Sequence, residues 1–215
     1  MGKIIELLFP NCCGLCGKIN PYVICSHCRY YLKQKEKICI QKVQNPKFYF
    51  DLQIALFQYE GIIREKILQY KFSEQAYFYQ FFSEILLNHK KIVGFLKSYD
   101  IIIPVPIDKK RKRERGYNQS ELMAKEITKS IKNLQCQTDN LLKTKTTKPQ
   151  STLNKNERKE NVKNVYQIKK GDTLKNKRVV LLDDIYTTGS TVNECSKVLK
   201  KAGVQNVLVL TIAKD

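Results

Sequence analysis

Four consecutive apolar residues, Val179-Val180-Leu181-Leu182, run directly into two adjacent carboxylates, Asp183-Asp184, and then into Ile185-Tyr186-Thr187-Thr188-Gly189-Ser190-Thr191. An unbroken apolar run of this length suits a strand buried on both faces, as in a parallel sheet covered by helices. The two carboxylates then emerge at its carboxyl end, where open α/β sheets bind ligands. The segment that follows is small, rich in hydroxyls and opens a helix. Its backbone N–H groups, hydroxyls and helix dipole suit a monophosphate. Two carboxylates beside such a cradle repel a nucleotide unless they bind hydroxyls or a divalent cation. A ribose phosphate with free hydroxyls satisfies both halves. The plainer alternative is a capping box, Thr191-Val-Asn-Glu194. It accounts for one Thr and the Glu, but not for paired Asp at the end of an apolar strand, where burial is costly. A Walker A loop is excluded, since no Gly-x4-Gly-Lys occurs here.

The rest of the chain alternates strands with helices. Leu52–Phe57 reads as a strand turned at Glu60-Gly61, and Ile62, Ile63, Ile67 and Leu68 recur at helical spacing. Tyr77 to Leu96 reads as one further helix whose Phe78, Phe81 and Phe82 belong to the core rather than to a stacking platform. Asp100–Pro106 is a short apolar strand ended by prolines, and Asn118 to Asn133 is a helix with Leu122, Met123, Ile127 and Ile131 on one face. The polar stretch 143–164 lacks periodicity and reads as a long loop, which in a compact domain is usually functional. A short strand at 165–168, the buried strand 178–185, a helix from about Thr191 to Ala202 and a last strand at 207–212 complete the pattern. This order predicts a parallel, doubly wound α/β sheet flanked by helices.

Near the N-terminus, Cys13-Gly-Leu-Cys16 and Cys25-Ser-His-Cys28 give two C-x2-C turns eight residues apart. Two such turns complete a closed four-thiolate zinc site, with Gly17 supporting the first knuckle through a positive φ. With no open position the metal is structural. Disulfides are the alternative and fit poorly without a secretion signal. Cys12 substitutes as a ligand if the register slips by one, and Cys39 is a further candidate replacement. His27 is a solvated neighbour, and Cys39, Cys136 and Cys195 otherwise read as small apolar residues. Residues 1–45 are therefore a zinc module and 46–215 the α/β domain, with the boundary near Gln44-Asn45-Pro46.

Lys and Arg number 39 against 20 Asp and Glu, a net charge of +19. Nucleic acid is one reading of this excess. The other is compositional: 32 Lys, 14 Asn and only seven Arg are what AT-rich coding yields. Clustering is more informative. Arg111, Arg113 and Arg115 fall within five residues, and a second basic stretch runs from Lys143 through Lys148 to Arg158 and Lys159. Concentrated Arg suits planar, bidentate anion recognition. At 42% hydrophobic the chain is globular rather than a disordered polycation. No apolar run approaches the ~20 residues of a membrane span. Met1-Gly2-Lys3-Ile4-Ile5-Glu6 has the features of neither a signal peptide nor a myristoylation site. A cytoplasmic location follows, with peripheral placement at the inner membrane face as a variant.

The segment 179–191 resembles the PRPP-binding motif of type I phosphoribosyltransferases, where PRPP is phosphoribosyl pyrophosphate. The order of the four-cysteine module, Tyr59-Glu-Gly-Ile-Ile-Arg64 with Lys71-Phe72, Pro104-Val-Pro106 with Arg113-Glu-Arg-Gly-Tyr-Asn-Gln119, and Gln150 through Glu157-Arg158 to Asn161 resembles the ComF family of competence proteins over nearly the whole chain. The resemblance implies a type I phosphoribosyltransferase-like fold and a role in DNA uptake during natural transformation. It implies that Asp183 and Asp184 contact ribose and that Thr187, Thr188, Gly189, Ser190 and Thr191 hold its phosphate. The loop 106–116, with Arg111, Arg113 and Arg115, takes the pyrophosphate, and Lys148, Arg158 and Asn161 close over the ligand. Asp183, Asp184 and Arg115 are the expected catalytic residues. Mg2+ accompanies PRPP, and the expected partners are single-stranded DNA and competence proteins such as a helicase or DNA-processing protein. A base-binding hood and the N-terminal glutaminase Cys of amidophosphoribosyltransferases are both missing. The acceptor is therefore undefined, and a non-catalytic module that senses PRPP or binds single-stranded DNA stands beside the enzyme reading.

Overall fold

The computed structural model describes residues 12–72, 75–147 and 153–215. Lys148, Gln150 and the segment 1–6 lie outside the described residues. A six-stranded sheet runs in the order β1-β2-β8-β7-β3-β4. Its strands are β1 (Cys39–Lys42), β2 (Leu52–Gln58), β3 (Ile101–Pro104), β4 (Gln135–Cys136), β7 (Arg178–Tyr186) and β8 (Asn206–Lys214). β2, β8, β7, β3 and β4 are parallel, while β1 adds to the edge antiparallel. β5 (Leu141–Lys143) and β6 (Tyr166–Ile168) form a separate antiparallel pair. The parallel, helix-flanked sheet expected from sequence is present, with these two antiparallel additions.

Alternation along each strand feeds two cores. Val180 and Leu182 of β7, Leu208 and Leu210 of β8 and Ile102 of β3 enter one; Val179, Leu181, Val207, Val209 and Ile101 enter the other. Both faces are apolar because both are covered, which is why the strands read as continuous runs. The first face carries α2 (Gly61–Phe72), α3 (Phe78–Leu87), α4 (Lys90–Lys97) and α6 (Gln119–Ser130). The second carries α8 (Ser190–Lys201), through Val192, Cys195 and Leu199, and the β5–β6 pair.

Tyr77 to Leu96 is two helices rather than one. α3 ends at Asn88, whose N–H returns to Glu84 and Leu86 carbonyls, and His89 takes an extended conformation before α4. Phe78, Phe81, Phe82, Ile85 and Leu86 of α3 follow i, i+3, i+4, i+7, i+8 and are buried. The stretches expected as loops also carry helices. α5 (Lys109–Arg115) lies within 106–116, and α7 (Lys155–Asn161) lies within 143–164. Each has a local cap. Asp108 accepts from the Arg111 N–H, and Asn154 with Glu157 forms a capping box.

The cysteine segment packs into the first core through Cys13, Ile24, Cys28 and Leu32. A Cβ at Gly14 would stand 2.7 Å from the Phe81 ring, so this close approach requires glycine. Arg29 of α1 (Ser26–Lys35) is ion-paired with Glu84 of α3. β1, also within residues 1–45, is an edge strand of the main sheet.

Candidate functional site

A cleft of about 370 Å³ opens at the carboxyl end of β7. Asp183, Asp184, Thr187, Thr188, Gly189, Thr191, Arg111, Arg115 and Arg158 all line it. Ser190 and Arg113 are not among its lining residues, and Arg113 is exposed on the outer side of α5. Arg111 and Asp184 are 73 positions apart in sequence, so the fold rather than local spacing brings the basic and acidic groups together.

Asp184 is buried and Asp183 half-buried. Lys71 Nζ of α2 lies 2.9 Å from Asp184 Oδ2. The Asp184 N–H donates to Asp183 Oδ1 at 2.9 Å, and Ser120 Oγ approaches the same oxygen at 3.5 Å. Burial, followed by the adjacent Asp184 charge, pushes the Asp183 carboxyl up to about 7, against the pull of Lys71 and these donors. This carboxyl therefore titrates near neutrality.

The loop after β7 turns at Gly189, where φ is +73° and a Cβ would meet the Tyr186 hydroxyl at 2.5 Å. Only glycine fits there. Gly189 is the N-cap of α8 and brings no side chain to it, while the Ser190 N–H donates to Thr188 Oγ1 at 3.4 Å. The helix therefore starts before Thr191, against the plainer alternative of a capping box at Thr191–Glu194. Instead Glu194 accepts from the backbone N–H of Asn164 at 3.0 Å, which ties α8 to the start of β6. Thr188 and Ser190 hydroxyls face one another at 2.9 Å.

The opposite wall is basic and built around Asp108. This carboxylate accepts from the Arg111 N–H at 3.0 Å, lies 3.3 Å from Lys143 Nζ and 3.6 Å from Arg111 Nε. Asp108 and Lys143 side chains are only 4% and 5% exposed, so the pair is truly buried. Against burial, the Arg111 N–H and the Lys143 and Arg111 charges hold Asp108 below the usual carboxylate range. Arg115 Nη1 donates to Gln119 Oε1 at 3.1 Å, and its guanidinium lies 5.1 Å from the Phe72 ring centre. Arg158 of α7 donates from Nε to the Leu153 carbonyl at 2.9 Å.

A reciprocal tyrosine clasp joins α2 to α6. Tyr117 Oη donates to the Tyr70 carbonyl at 2.6 Å, and Tyr70 Oη donates to the Gln119 carbonyl at 2.9 Å. The two rings stack with centroids 5.8 Å apart. The clasp ties the chain at Lys71, which pairs with Asp184, to the chain at Ser120, whose hydroxyl approaches Asp183. Sequence assigns no role to Lys71 or Asp108, gives Lys143 only as the start of the second basic stretch, and gives Gln119 only as part of a helix N-terminus near 116–119 whose dipole faces the pyrophosphate. The available signal was positional: Lys71 directly follows a tyrosine that the helical period puts in the core, and Asp108 stands where an N-cap belongs.

Away from the cleft, the sulfurs of Cys13, Cys16, Cys25 and Cys28 all lie within 4.8 Å of one another. A tetrahedral zinc–thiolate centre needs sulfurs about 3.8 Å apart, given Zn–S bonds of about 2.3 Å, and Cys16 and Cys25 sulfurs stand 4.0 Å apart. Gly17, at φ +74°, returns its N–H to the Cys13 carbonyl at 2.8 Å and closes the first knuckle. Against burial, N–H groups of Cys16, Cys25 and Leu15 hold the Cys13 thiol down at about 6. Such a donor set fits a metal such as zinc. Cys12 and Cys39 stand outside the cluster. No helix among the described residues is long and apolar enough to cross a membrane.

Residues 101–215 match the family described as phosphoribosyl transferase domain. The fold and the cleft at the end of β7 thus belong to a phosphoribosyltransferase-type protein. Competence protein F of Haemophilus influenzae is 31% identical over 94% of this chain and 90% of its own length. DNA utilization protein YhgH of Escherichia coli K12 is 27% identical over 94% and 89%. Competence protein ComFC of Streptococcus pneumoniae is 28% identical over 74% and 67%. The chain belongs to the ComF family of competence proteins.

Proposed function

We propose that the cleft binds PRPP with Mg2+ and that the protein acts in DNA uptake during natural transformation. The observation that carries the first part is the juxtaposition at the end of β7. An acidic pair adjoins a glycine-turned helix N-terminus, and a basic wall stands opposite. In this reading Asp183 and Asp184 accept from the ribose hydroxyls, and the loop 187–191 takes the sugar phosphate at the N-terminus of α8. Arg111 and Lys143 face the pyrophosphate, and Arg158 on α7 closes over it. Lys148 is proposed for the same role. Asp183 and Asp184 are the carboxylates that would hold Mg2+ with PRPP, and the ion would supply charge neutralisation of the leaving group.

As an enzyme the protein transfers ribose phosphate to a nucleophile. The C1–oxygen bond to pyrophosphate breaks as the bond from C1 to the nucleophile forms, and the nucleophile loses its proton. The basic wall stabilises the departing charge, and the carboxylates stabilise the cationic sugar. The names of the relatives support the DNA-uptake role. Cys13, Cys16, Cys25 and Cys28 would hold a structural zinc, which pins α1 against α3 and supplies no chemistry to the cleft.

A second reading, in which the protein senses PRPP and binds single-stranded DNA without turnover, is favoured by α5. Lys109, Lys110, Lys112 and Arg113 all face solvent rather than the cleft. One experiment separates the readings: a thermal-shift titration with PRPP and Mg2+, followed by an assay for pyrophosphate release. Stabilisation with release supports the enzyme, and stabilisation without release against any acceptor, DNA ends included, supports sensing. No stabilisation refutes both.

A further inference from the structure

Gln119 is the first residue of α6, a helix of 12 residues, and it lines the cleft while only 2% exposed. Its Oε1 accepts from Arg115, but its Nε2 has no hydrogen-bond partner among the described residues. A buried donor without an acceptor is costly and calls for an explanation. Turning the amide over does not remove the problem. It would set an NH2 group against the Arg115 guanidinium, donor to donor. Arg115 is itself fixed, four residues earlier, with its guanidinium over the Phe72 ring. The Gln119 backbone is also fixed, because its carbonyl accepts from Tyr70 Oη.

Both signs of charge surround this amide, with Arg115 bonded to its Oε1 and the acidic pair reached through Ser120. Arg115 stands on one side, and Lys71 adjoins Tyr70 on the other. The N-terminus of α6 contributes its dipole. Of the two neighbouring carboxylates, Asp184 is paired with Lys71 at 2.9 Å, and Asp183 Oδ1 accepts from the Asp184 N–H and faces Ser120 Oγ, so neither is bonded to this amide. The group missing from this arrangement is an acceptor oxygen.

We propose that Gln119 Nε2 donates to an anionic oxygen of the bound pyrophosphate group, and that Arg115 is a positioning residue acting through Gln119. The division of labour differs from that of the Asp108 wall, where the cations meet the ligand as charges. Here a guanidinium fixes a neutral donor, and the donor reads the ligand. The inference rests on the PRPP reading above and adds a specific contact to it.

The test is calorimetric titration of the full chain with inorganic pyrophosphate plus Mg2+ and, separately, with ribose 5-phosphate. Gln119→Glu keeps the partner of Arg115 and replaces the donor by an acceptor. It is expected to keep the melting temperature, to weaken pyrophosphate about tenfold to a hundredfold, and to leave ribose 5-phosphate within about twofold. Gln119→Ala is expected to weaken pyrophosphate similarly. Arg115→Lys keeps the charge and loses the fork. Added to Gln119→Ala, it should cause little further loss, because both changes remove one interaction. Pyrophosphate binding within about twofold of wild type in both Gln119 variants overturns the proposal. Additive losses overturn the positioning role of Arg115. If the wild type binds ribose 5-phosphate but not pyrophosphate, this inference alone fails. If it binds neither, the PRPP reading fails with it.

Discussion

At Asp108 a buried carboxylate is wrapped in positive charge and N–H donors; at Asp183 and Asp184 two carboxylates stand side by side with Lys71 as their nearby cation. The first is held below the usual range and the second, at Asp183, is pushed up to about 7. Both centres are made of the same functional group within one fold. The difference is in what each already has. Asp108 is satisfied by the protein itself and serves to hold Arg111 and Lys143 along the wall. Asp183 has donors on one oxygen but no ion pair of its own among the described residues, so it gains most from a ligand that brings hydroxyls or a cation. A group complete in the free protein is scaffold, and a group left short of partners marks where the ligand goes.

The largest effect that can break this comparison is expected at Asp108. Asp108→Ala leaves Lys143 buried without its counter-ion, a loss of about 3–5 kcal/mol. In a domain of this size the melting temperature should fall on the order of 10 °C. A drop of only a degree or two would show that Asp108 is not scaffold.

Asp183 should give the opposite sign. Its folded-state pKa lies above the unfolded value of about 3.9, so its contribution to stability is most favourable at low pH. That contribution declines as pH rises from about 4 to about 7 and is flat beyond. Asp108, depressed when folded, contributes stability above about pH 4 that is lost as pH falls through its folded pKa. Denaturant unfolding of wild type and Asp183→Asn across pH 4 to 8 isolates the first term in the difference between the two curves. A difference that does not change with pH would contradict the raised carboxyl.

A smaller change sharpens the geometry. Tyr117→Phe removes one hydrogen bond to the Tyr70 carbonyl, worth about 1 kcal/mol, and loosens Lys71 against the acidic pair. Its melting temperature should fall by only about 2–4 °C, with PRPP affinity falling more than that loss implies. The smallest effect is expected at Arg113, which is exposed on α5. Arg113→Ala should change stability by less than about 0.5 kcal/mol and leave PRPP binding unaltered. Any loss should appear in single-stranded DNA affinity, with a weaker salt dependence.

The features legible in the sequence share one property: they are local. The apolar strand with its acidic end, the cysteine turns and the main strands of the sheet are written in consecutive or periodically spaced residues. The break between α3 and α4 was not visible, because residues on both sides keep an apolar face and only the backbone at His89 departs from it. α5 and α7 were not visible because short polar helices have no apolar period, and their caps at Asp108 and Asn154 are the only signal. Lys71 is legible only as part of a motif without a role, and Gln119 only as part of a helix N-terminus, not as a side chain of the site. Their placement depends on the Tyr70–Tyr117 clasp, a contact across 47 positions that no local spacing encodes.

The central claim is that the acidic pair at the end of β7 receives the ribose of PRPP. Calorimetric titration of PRPP with Mg2+ into wild type and into the Asp183→Asn, Asp184→Asn double variant tests it most directly, with both proteins first checked for unchanged circular dichroism. The account predicts saturable binding to the wild type that tightens from pH 6 to pH 8, as Asp183 ionises, and a loss of at least about tenfold in the folded double variant. Equal affinity in the two proteins, or no binding to the wild type, would contradict it.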